Sequence, residues 1–158
     1  RGQLPADAFG GPRVAVFDGA AGTVLADFYG TDDPNFRGGV RVALGDVDGD
    51  GLAVPVLSDG PGGGPRVLVW DAAPFLASGG EVRVPLADFF AAGPALTAGA
   101  VVAAKNIDGD AFADLVVGVP TGPTTSLVRV YLGRTLTPTG TPPVFEEFAF
   151  DTAGVFVG

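Results

Sequence analysis

The sequence repeats itself at an interval of about 60 residues, and this periodicity limits the chain to folds built from similar, stacked units. Residues 13–18 (RVAVFD) return as 66–71 (RVLVWD) and in shortened form as 128–131 (VRVY). Three further segments recur in the same order: 25–28 at 86–89 and 146–148, 39–43 at 99–103 and 154–157, and 46–50 at 106–110. Four segments that keep their order indicate a true repeat, whose units bury apolar surface against one another.

Each recurring apolar segment has the composition of a β-strand. Residues 14–17, 67–70 and 128–131 are rich in β-branched and aromatic side chains, and pairs such as Asp18-Gly19 mark turns between segments. The 26 glycines and 14 prolines argue against long helices, because these residues are unfavourable inside a helix by about 1 and about 3 kcal/mol. We therefore predict an all-β fold of β-propeller-type blades, each with four short antiparallel strands.

The repeat divides the chain into segments. We predict a first unit over residues 11–63, a second over 64–124 and a partial third over 125–158, with residues 1–10 as the tail of a preceding unit or a linker. About 2.6 units cannot close a propeller of four or more blades, so a partial propeller is expected. Either the chain is a piece of a longer protein, or other copies of the chain or other propeller blades complete it.

Composition excludes several classes of function. The chain has no histidine and no cysteine, which removes Ser-His and Cys-His catalytic pairs and zinc sites built on those residues. Its net charge of −9 disfavours nucleic acid, whose phosphates are bound by lysine and arginine. The longest uncharged apolar stretch, residues 89–104, is too short and too interrupted by glycine and proline to span a membrane. We expect a protein that is not an enzyme, binds no nucleic acid and has no membrane span.

Two acidic loops carry the most specific chemical signal. Hard cations such as Ca²⁺ bind about six to eight oxygen atoms, and side-chain oxygens at alternate positions of a tight turn can supply them. Such carboxylates repel one another unless a cation neutralises them. The first loop offers Asp46, Asp48, Asp50 and the backbone at Leu52, and the second offers Asn106, Asp108, Asp110, the backbone carbonyl of Phe112, and Asp114. We predict Ca²⁺ as the ion bound by these loops.

The loops differ at the position that closes the ligand shell. Asp114 follows Asn106 by eight residues, whereas Val54 occupies the corresponding position of the first loop, so weaker binding is expected there. An EF-hand would need a bidentate glutamate at position 12, where these loops have Leu57 and Val117. Acidic turns that hold no metal, with aspartate acting as a turn former, are the alternative for both loops.

The second loop and the strands around it resemble a known repeat. Residues 106–120 (NIDGDAFADLVVGVP), followed by 128–133 (VRVYLG), are similar to the FG-GAP repeat of integrin α-subunit propellers and to the related VCBS-type repeats of bacterial surface and secreted proteins. The resemblance covers nearly the whole chain. It implies a seven-bladed propeller, calcium in the loop between the third and fourth strands, and an extracellular or cell-surface role in adhesion or scaffolding. Val54 departs from the pattern.

Aromatic residues recur once per unit at matched positions, which favours packing between units over ligand stacking. The set comprises Phe17, Trp70 and Tyr131, together with Phe28, Phe89 and Phe148. Tyr29 and Phe90 directly follow Phe28 and Phe89, so their side chains should point to the opposite strand face and form a contact surface.

Three functions fit these observations. The first is a calcium-stabilised extracellular structural or adhesion module, and the second is a module that assembles through unpaired blade edges. The third is a carbohydrate-binding propeller of lectin type, with sites in grooves between blades. The expected partners are other copies of the chain, other propeller blades, or a cell-surface protein or glycan. Exposed aromatic residues at the grooves would favour the lectin, and a native mass far above 15.8 kDa would favour assembly.

Overall fold

Strands dominate the fold, which a computed structural model describes over residues 11–150. The strands are β1 (Arg13–Phe17), β2 (Val24–Tyr29), β3 (Val40–Gly45), β4 (Val54–Asp59), β5 (Arg66–Trp70), β6 (Pro85–Phe90), β7 (Val101–Lys105), β8 (Asp114–Pro120), β9 (Thr125–Tyr131) and β10 (Phe145–Phe150). The prediction of an all-β fold is confirmed. The expected tail at residues 1–10 and the expected strand at 154–157 lie outside the described residues.

The strands form three antiparallel sheets in which each strand pairs with its neighbour along the chain. β1 and β2 form a two-stranded sheet, β3 to β6 form a four-stranded sheet, and β7 to β10 form another. No closed ring of sheets is present within residues 11–150, so the propeller arrangement stays a prediction.

The four-stranded sheets are displaced by two strands from the sequence units. β3 and β4 belong to the unit over 11–63, yet they share a sheet with β5 and β6 of the next unit. Likewise, β7 and β8 share a sheet with β9 and β10 of the third unit. The long connections at residues 30–39 and 91–100 carry the chain to a new sheet, whereas the shorter turn at 60–65 joins two paired strands. Each unit was expected to form its own sheet; instead, the third and fourth strands of one unit pair with the first two strands of the next.

An aromatic cluster holds the two-stranded sheet against the sheet of β3 to β6. The ring of Phe28 lies edge-on to Trp70 and to Phe75, with centroid distances of 5.4 and 5.1 Å. Phe75 lies on a short helix, α1 (Ala72–Ala77), whose first turn is capped by the side chain of Asp71. Each such ring pair adds about 0.5–1.5 kcal/mol beyond the apolar area that it buries. The cluster therefore joins β2, β5 and α1 into one core.

The prediction that the recurring aromatic residues pack between units is confirmed in part. Trp70 and Tyr131 are buried, and the ring of Tyr131 lies 4.8 Å from that of Phe89. Phe17 and Phe148 are 59% and 54% exposed, so for these two residues the prediction is wrong. Phe17 lies at the end of β1, past a break in register, and Phe148 lies on the edge strand β10.

The two four-stranded sheets meet where β7 lies against β3 and β4. The buried hydroxyl of Ser58 donates to the carbonyl of Ala100 at 2.8 Å, and the amide of Ala100 donates to the carbonyl of Asp59 at 3.0 Å. These bonds fix one sheet on the other. The two acidic loops, between β3 and β4 and between β7 and β8, meet at the other end of these strands, where the amide of Ala113 donates to the carbonyl of Asp46.

Candidate metal site

The first acidic loop brings three carboxylates together. One oxygen from each of Asp46, Asp48 and Asp50 lies within 4.8 Å of the others. Gly49 and Gly51 have φ angles of +75° and +89°, which only glycine adopts readily and which turn the chain back on itself. Asp46 accepts the amides of Gly49 at 2.8 Å and Gly51 at 2.9 Å, so the turn holds this carboxylate in place.

Asp48 is the carboxylate of this loop that has a buried oxygen without a hydrogen-bond donor among residues 11–150. Its Oδ1 atom is buried and accepts no hydrogen bond from the described residues. Burial raises the pKa of Asp48, and the neighbouring charge of Asp50 raises it further. A buried acceptor without a donor is unfavourable by about 1–3 kcal/mol, and more when it is charged. A cation among the three carboxylates would remove this penalty.

The two remaining positions of the first loop have different environments. Leu52, expected to offer a backbone ligand, donates its amide to Oδ1 of Asp50 at 2.8 Å, and its side chain is exposed. Val54, at the position matched to Asp114, is buried as the first residue of β4. The apolar side chain at that position belongs to the core and supplies no ligand.

The second acidic loop has similar residues but a different arrangement. The side-chain oxygen of Asn106 accepts the amide of Gly109 at 2.7 Å, and its amide nitrogen donates to the carbonyl of Asp110. Asp108 and Asp110 both face the guanidinium of Arg134, whose Nη1 lies 2.7 and 3.0 Å from their carboxylate oxygens. An arginine thus bridges the two carboxylates that were expected to bind an ion.

Asp114 holds the second loop from inside the protein. The residue is fully buried, and its oxygens accept the amides of Ile107 at 2.7 Å and Gly133 at 3.0 Å. Phe112, expected to offer its carbonyl, donates its amide to Oδ1 of Asp110 at 2.8 Å. Both carboxylate oxygens of Asp114 are therefore used by the backbone in this structure.

The loops contact each other directly. The amide of Ala113 donates to the carbonyl of Asp46 at 2.6 Å, and Gly49 packs against the ring of Phe112. A cleft of about 200 Å³ is lined by Asp48 of the first loop, Phe112 of the second loop and Arg134. The two predicted sites are thus neighbours, and the charges of one loop act on those of the other.

Sequence reasoning missed Arg134. It follows β9 on a 3₁₀ turn (Gly133–Thr135), 20 residues after the last residue of the predicted ligand set. The loop motif itself contains no sign of a distant basic partner. The one available signal was the position of Arg134, three residues after Tyr131 in the repeat, where the preceding unit has Ala73 after Trp70.

The arrangement of the first loop is suited to binding a hard divalent cation, and it contains no nucleophile–base pair. None of the helices among residues 11–150 has the length and apolar character needed to cross a membrane. Comparison with known proteins gave no matching family model, no similar curated protein and no similar solved structure.

Proposed function

We propose that this protein is a calcium-binding, non-catalytic structural or adhesion module of the extracellular space or cell surface, built from stacked β-sheets. The observation that carries the proposal is the approach of the Asp46, Asp48 and Asp50 carboxylates within 4.8 Å, with one oxygen of Asp48 buried and unpaired. The extracellular location and the adhesive role rest on the resemblance to FG-GAP and VCBS-type repeats.

Calcium fits this loop better than the common alternatives. The ligand set consists of carboxylates, and the chain has no histidine or cysteine to favour zinc or copper. Mg²⁺ demands a near-ideal octahedron and usually retains several waters, whereas Ca²⁺ accepts irregular shells of carboxylate, carbonyl and water oxygens. An acidic turn with three converging carboxylates therefore favours Ca²⁺. When bound, the ion would fix the turn between β3 and β4.

Isothermal titration calorimetry with CaCl₂ tests the proposal directly. The double variant Asp46→Asn/Asp48→Asn should bind Ca²⁺ at least tenfold more weakly at the first loop, because two of its three charged ligands are lost. A matched control, Glu81→Gln/Glu147→Gln, removes the same charge at exposed positions outside both loops and should bind as the wild type does. Equal affinity in the double variant and the wild type would refute the proposed site.

A cross-strand row of side chains supports stacking as the structural role. In the sheet of β3 to β6, the paired residues Ala43, Val56, Val69 and Ala87 form such a row, and the last three are completely buried. The corresponding row in the sheet of β7 to β10 is Ala103, Val116, Val130 and Phe145. Its members are half-buried, apart from Phe145, which is 48% exposed.

We infer that another sheet of the same repeat, supplied by a second copy of the chain, covers this second row. Light scattering in calcium should then give a mass well above 15.8 kDa. Val130→Glu should return the mass to that of a single chain, because it buries a charge in the contact. Val82→Glu, at an exposed valine outside the row, should not. A single-chain mass for the wild type would exclude stacking between copies.

A groove beside β6 favours carbohydrate binding as a second candidate. The groove, of about 320 Å³, is lined by Phe89, Phe90, Arg129, Tyr131 and residues 139–143. Phe90 is 48% exposed, and an exposed aromatic ring beside an arginine suits stacking and hydrogen bonding to a sugar. Phe90→Ala should abolish any binding seen on a glycan array, whereas Phe145→Ala, at an equally exposed ring, should not. The absence of glycan binding by the wild type would remove this candidate.

A further inference from the structure

Arg134 contacts two carboxylates of the second acidic loop from the turn that follows β9. Its Nη1 atom lies 2.7 Å from Oδ2 of Asp108 and 3.0 Å from Oδ2 of Asp110. One nitrogen thus contacts two carboxylates that the sequence pattern assigns to a metal ion. A guanidinium is permanently charged at any physiological pH, so the contact offsets one of the two carboxylate charges.

The first loop differs at the matched position. Arg134 is the third residue after Tyr131, and the third residue after Trp70 in the preceding unit is Ala73. Alanine has no charge and no side chain long enough to reach an acidic loop. Asp46, Asp48 and Asp50 accordingly have no ion pair with lysine or arginine in the described part of the chain, and Asp48 retains an unpaired oxygen. Two loops of similar sequence therefore differ in their need for a cation.

We propose that Arg134 acts as a built-in cation for the second loop and closes that loop to divalent metals, so that the protein binds one calcium ion, in the first loop. The inference depends on the proposed function only for the ion in the first loop. Arg134 is then the residue that determines which of the two loops takes a metal.

The rest of the second loop supports the same assignment. The side-chain nitrogen of Asn106 donates to the carbonyl of Asp110, which places a hydrogen-bond donor where a metal would need acceptors. Both oxygens of Asp114 accept backbone amides, and one of these amides belongs to Gly133, the neighbour of Arg134. The bond from Gly133 anchors the turn that presents the guanidinium. Both oxygens of Asp46 in the first loop also accept backbone amides, so the ion pair with Arg134 is what distinguishes the second loop.

Calcium stoichiometry of the full chain, measured by isothermal titration after chelator treatment, tests this inference. We expect one ion for the wild type, none for Asp46→Asn/Asp48→Asn and two for Arg134→Gln, since the glutamine leaves Asp108 and Asp110 without a counter-charge. Arg134→Lys retains one positive nitrogen and should bind one ion as the wild type does. Far-UV circular dichroism in each titration buffer establishes that the variants are folded.

Three outcomes would overturn the inference. One is an ion that Asp46→Asn/Asp48→Asn still binds, because Arg134 is in place in that variant and should exclude it. This measurement tests the inference even if Arg134→Gln fails to fold. The second is two ions in the wild type, which would leave the calcium proposal standing. The third is unchanged stoichiometry in a folded Arg134→Gln protein. If instead the wild type binds none and Arg134→Gln binds one, the first-loop site fails and the role of Arg134 is supported.

Discussion

The carboxylate of Asp114 accepts the backbone amide of Gly133 at 3.0 Å, across 19 residues of chain. Its other oxygen accepts the amide of Ile107 at 2.7 Å, and the side chain is completely buried. Asp114 therefore connects the start of the second acidic loop to the turn that carries Arg134. It does so through hydrogen bonds from two backbone amides to its carboxylate.

Replacing Asp114 by alanine should lower the free energy of unfolding by about 2–4 kcal/mol, because one buried and one part-buried amide lose their acceptor. Urea denaturation followed by the fluorescence of Trp70, the single tryptophan and a buried residue, measures this loss. Asp18 provides the control, since it also accepts two backbone amides, from Ala20 and Ala21, but on the exposed surface. Asp18→Ala should have a much smaller effect. Equal losses in the two variants would contradict the role given to burial.

Replacing Asp48 by asparagine should stabilise the calcium-free protein at neutral pH and abolish its stabilisation by calcium. The pKa of Asp48 is raised by burial and by Asp50, so ionisation of this group opposes folding. The penalty is absent below the unfolded pKa of about 3.9, develops as the pH rises towards the raised value, and is complete above it. Thermal unfolding between about pH 3 and pH 7, with calcium and with chelator, measures both effects. A calcium-free variant less stable than the wild type at neutral pH would contradict this prediction.

Arg66→Met should destabilise the protein more than Arg13→Met. Arg66 binds Asp88 through two bonds of 2.7 and 2.8 Å, and Arg13 binds Asp27 in the same bidentate manner one unit earlier. Arg66 is the less exposed of the two arginines and also pairs with Asp32 at 2.7 Å, so we expect a loss of about 1 kcal/mol after allowance for solvent screening. Urea denaturation at neutral pH ranks the two variants. A larger effect at Arg13 would show that burial does not set the strength of these pairs.

The Arg66–Asp88 pair should also make stability depend on pH. Hydrogen bonds from Arg66 hold the pKa of Asp88 below its ordinary value. The stability contributed by the pair is therefore present above the unfolded pKa of about 3.9 and is lost as the pH falls through the lowered value. In Asp88→Asn, the unfolding free energy should therefore fall less between neutral and acidic pH than it does in the wild type. An equal fall in the two proteins would contradict the role given to this pair.

Gly99→Ala should be more destabilising than Gly39→Ala. Both glycines occupy the same position of the repeat and have left-handed φ angles of +69° and +73°, so alanine is unfavourable at either by about 1–2 kcal/mol. A methyl group at Gly39 meets open space, whereas one at Gly99 overlaps the carbonyl of Asp59 in the neighbouring sheet. We expect about 1–3 kcal/mol more from this overlap. Differential scanning calorimetry compares the variants, and equal melting temperatures would exclude a tight contact at Gly99.

The strands could be predicted from the sequence because their signal is local. Alternating β-branched and aromatic residues in β1, β5 and β9 are separated by turn residues, and these features need no knowledge of distant contacts. The phase of the sheets could not be predicted in the same way, because connection length does not decide it: the long connection at 71–84 joins paired strands, whereas the shorter one at 30–39 joins different sheets. The exposure of Phe17 could not be predicted either, because a repeat predicts the position of a side chain but not whether a neighbouring strand or sheet covers it.

The candidate site shows the same division. The alternate spacing of Asp46, Asp48 and Asp50 was sufficient to predict that their carboxylates converge, as they do. The preference for the second loop over the first rested on Asp114, whose oxygens the structure places on backbone amides. Arg134 reaches its loop through tertiary packing, and its sequence neighbours give no indication of that contact.

The displacement of the sheets from the sequence units has a consequence for how such a chain can change its length. Each four-stranded sheet combines two strands from each of two consecutive units. In one of them, β3 and β4 come from the first unit and β5 and β6 from the second. A duplication or loss of one unit of about 60 residues, with breakpoints at equivalent positions, joins a first half to a second half again. Every sheet inside the stack is then complete whatever the number of units, although the sheet of β1 and β2 at its start has two strands. Gene rearrangement can therefore lengthen or shorten the stack without leaving a defective sheet inside it.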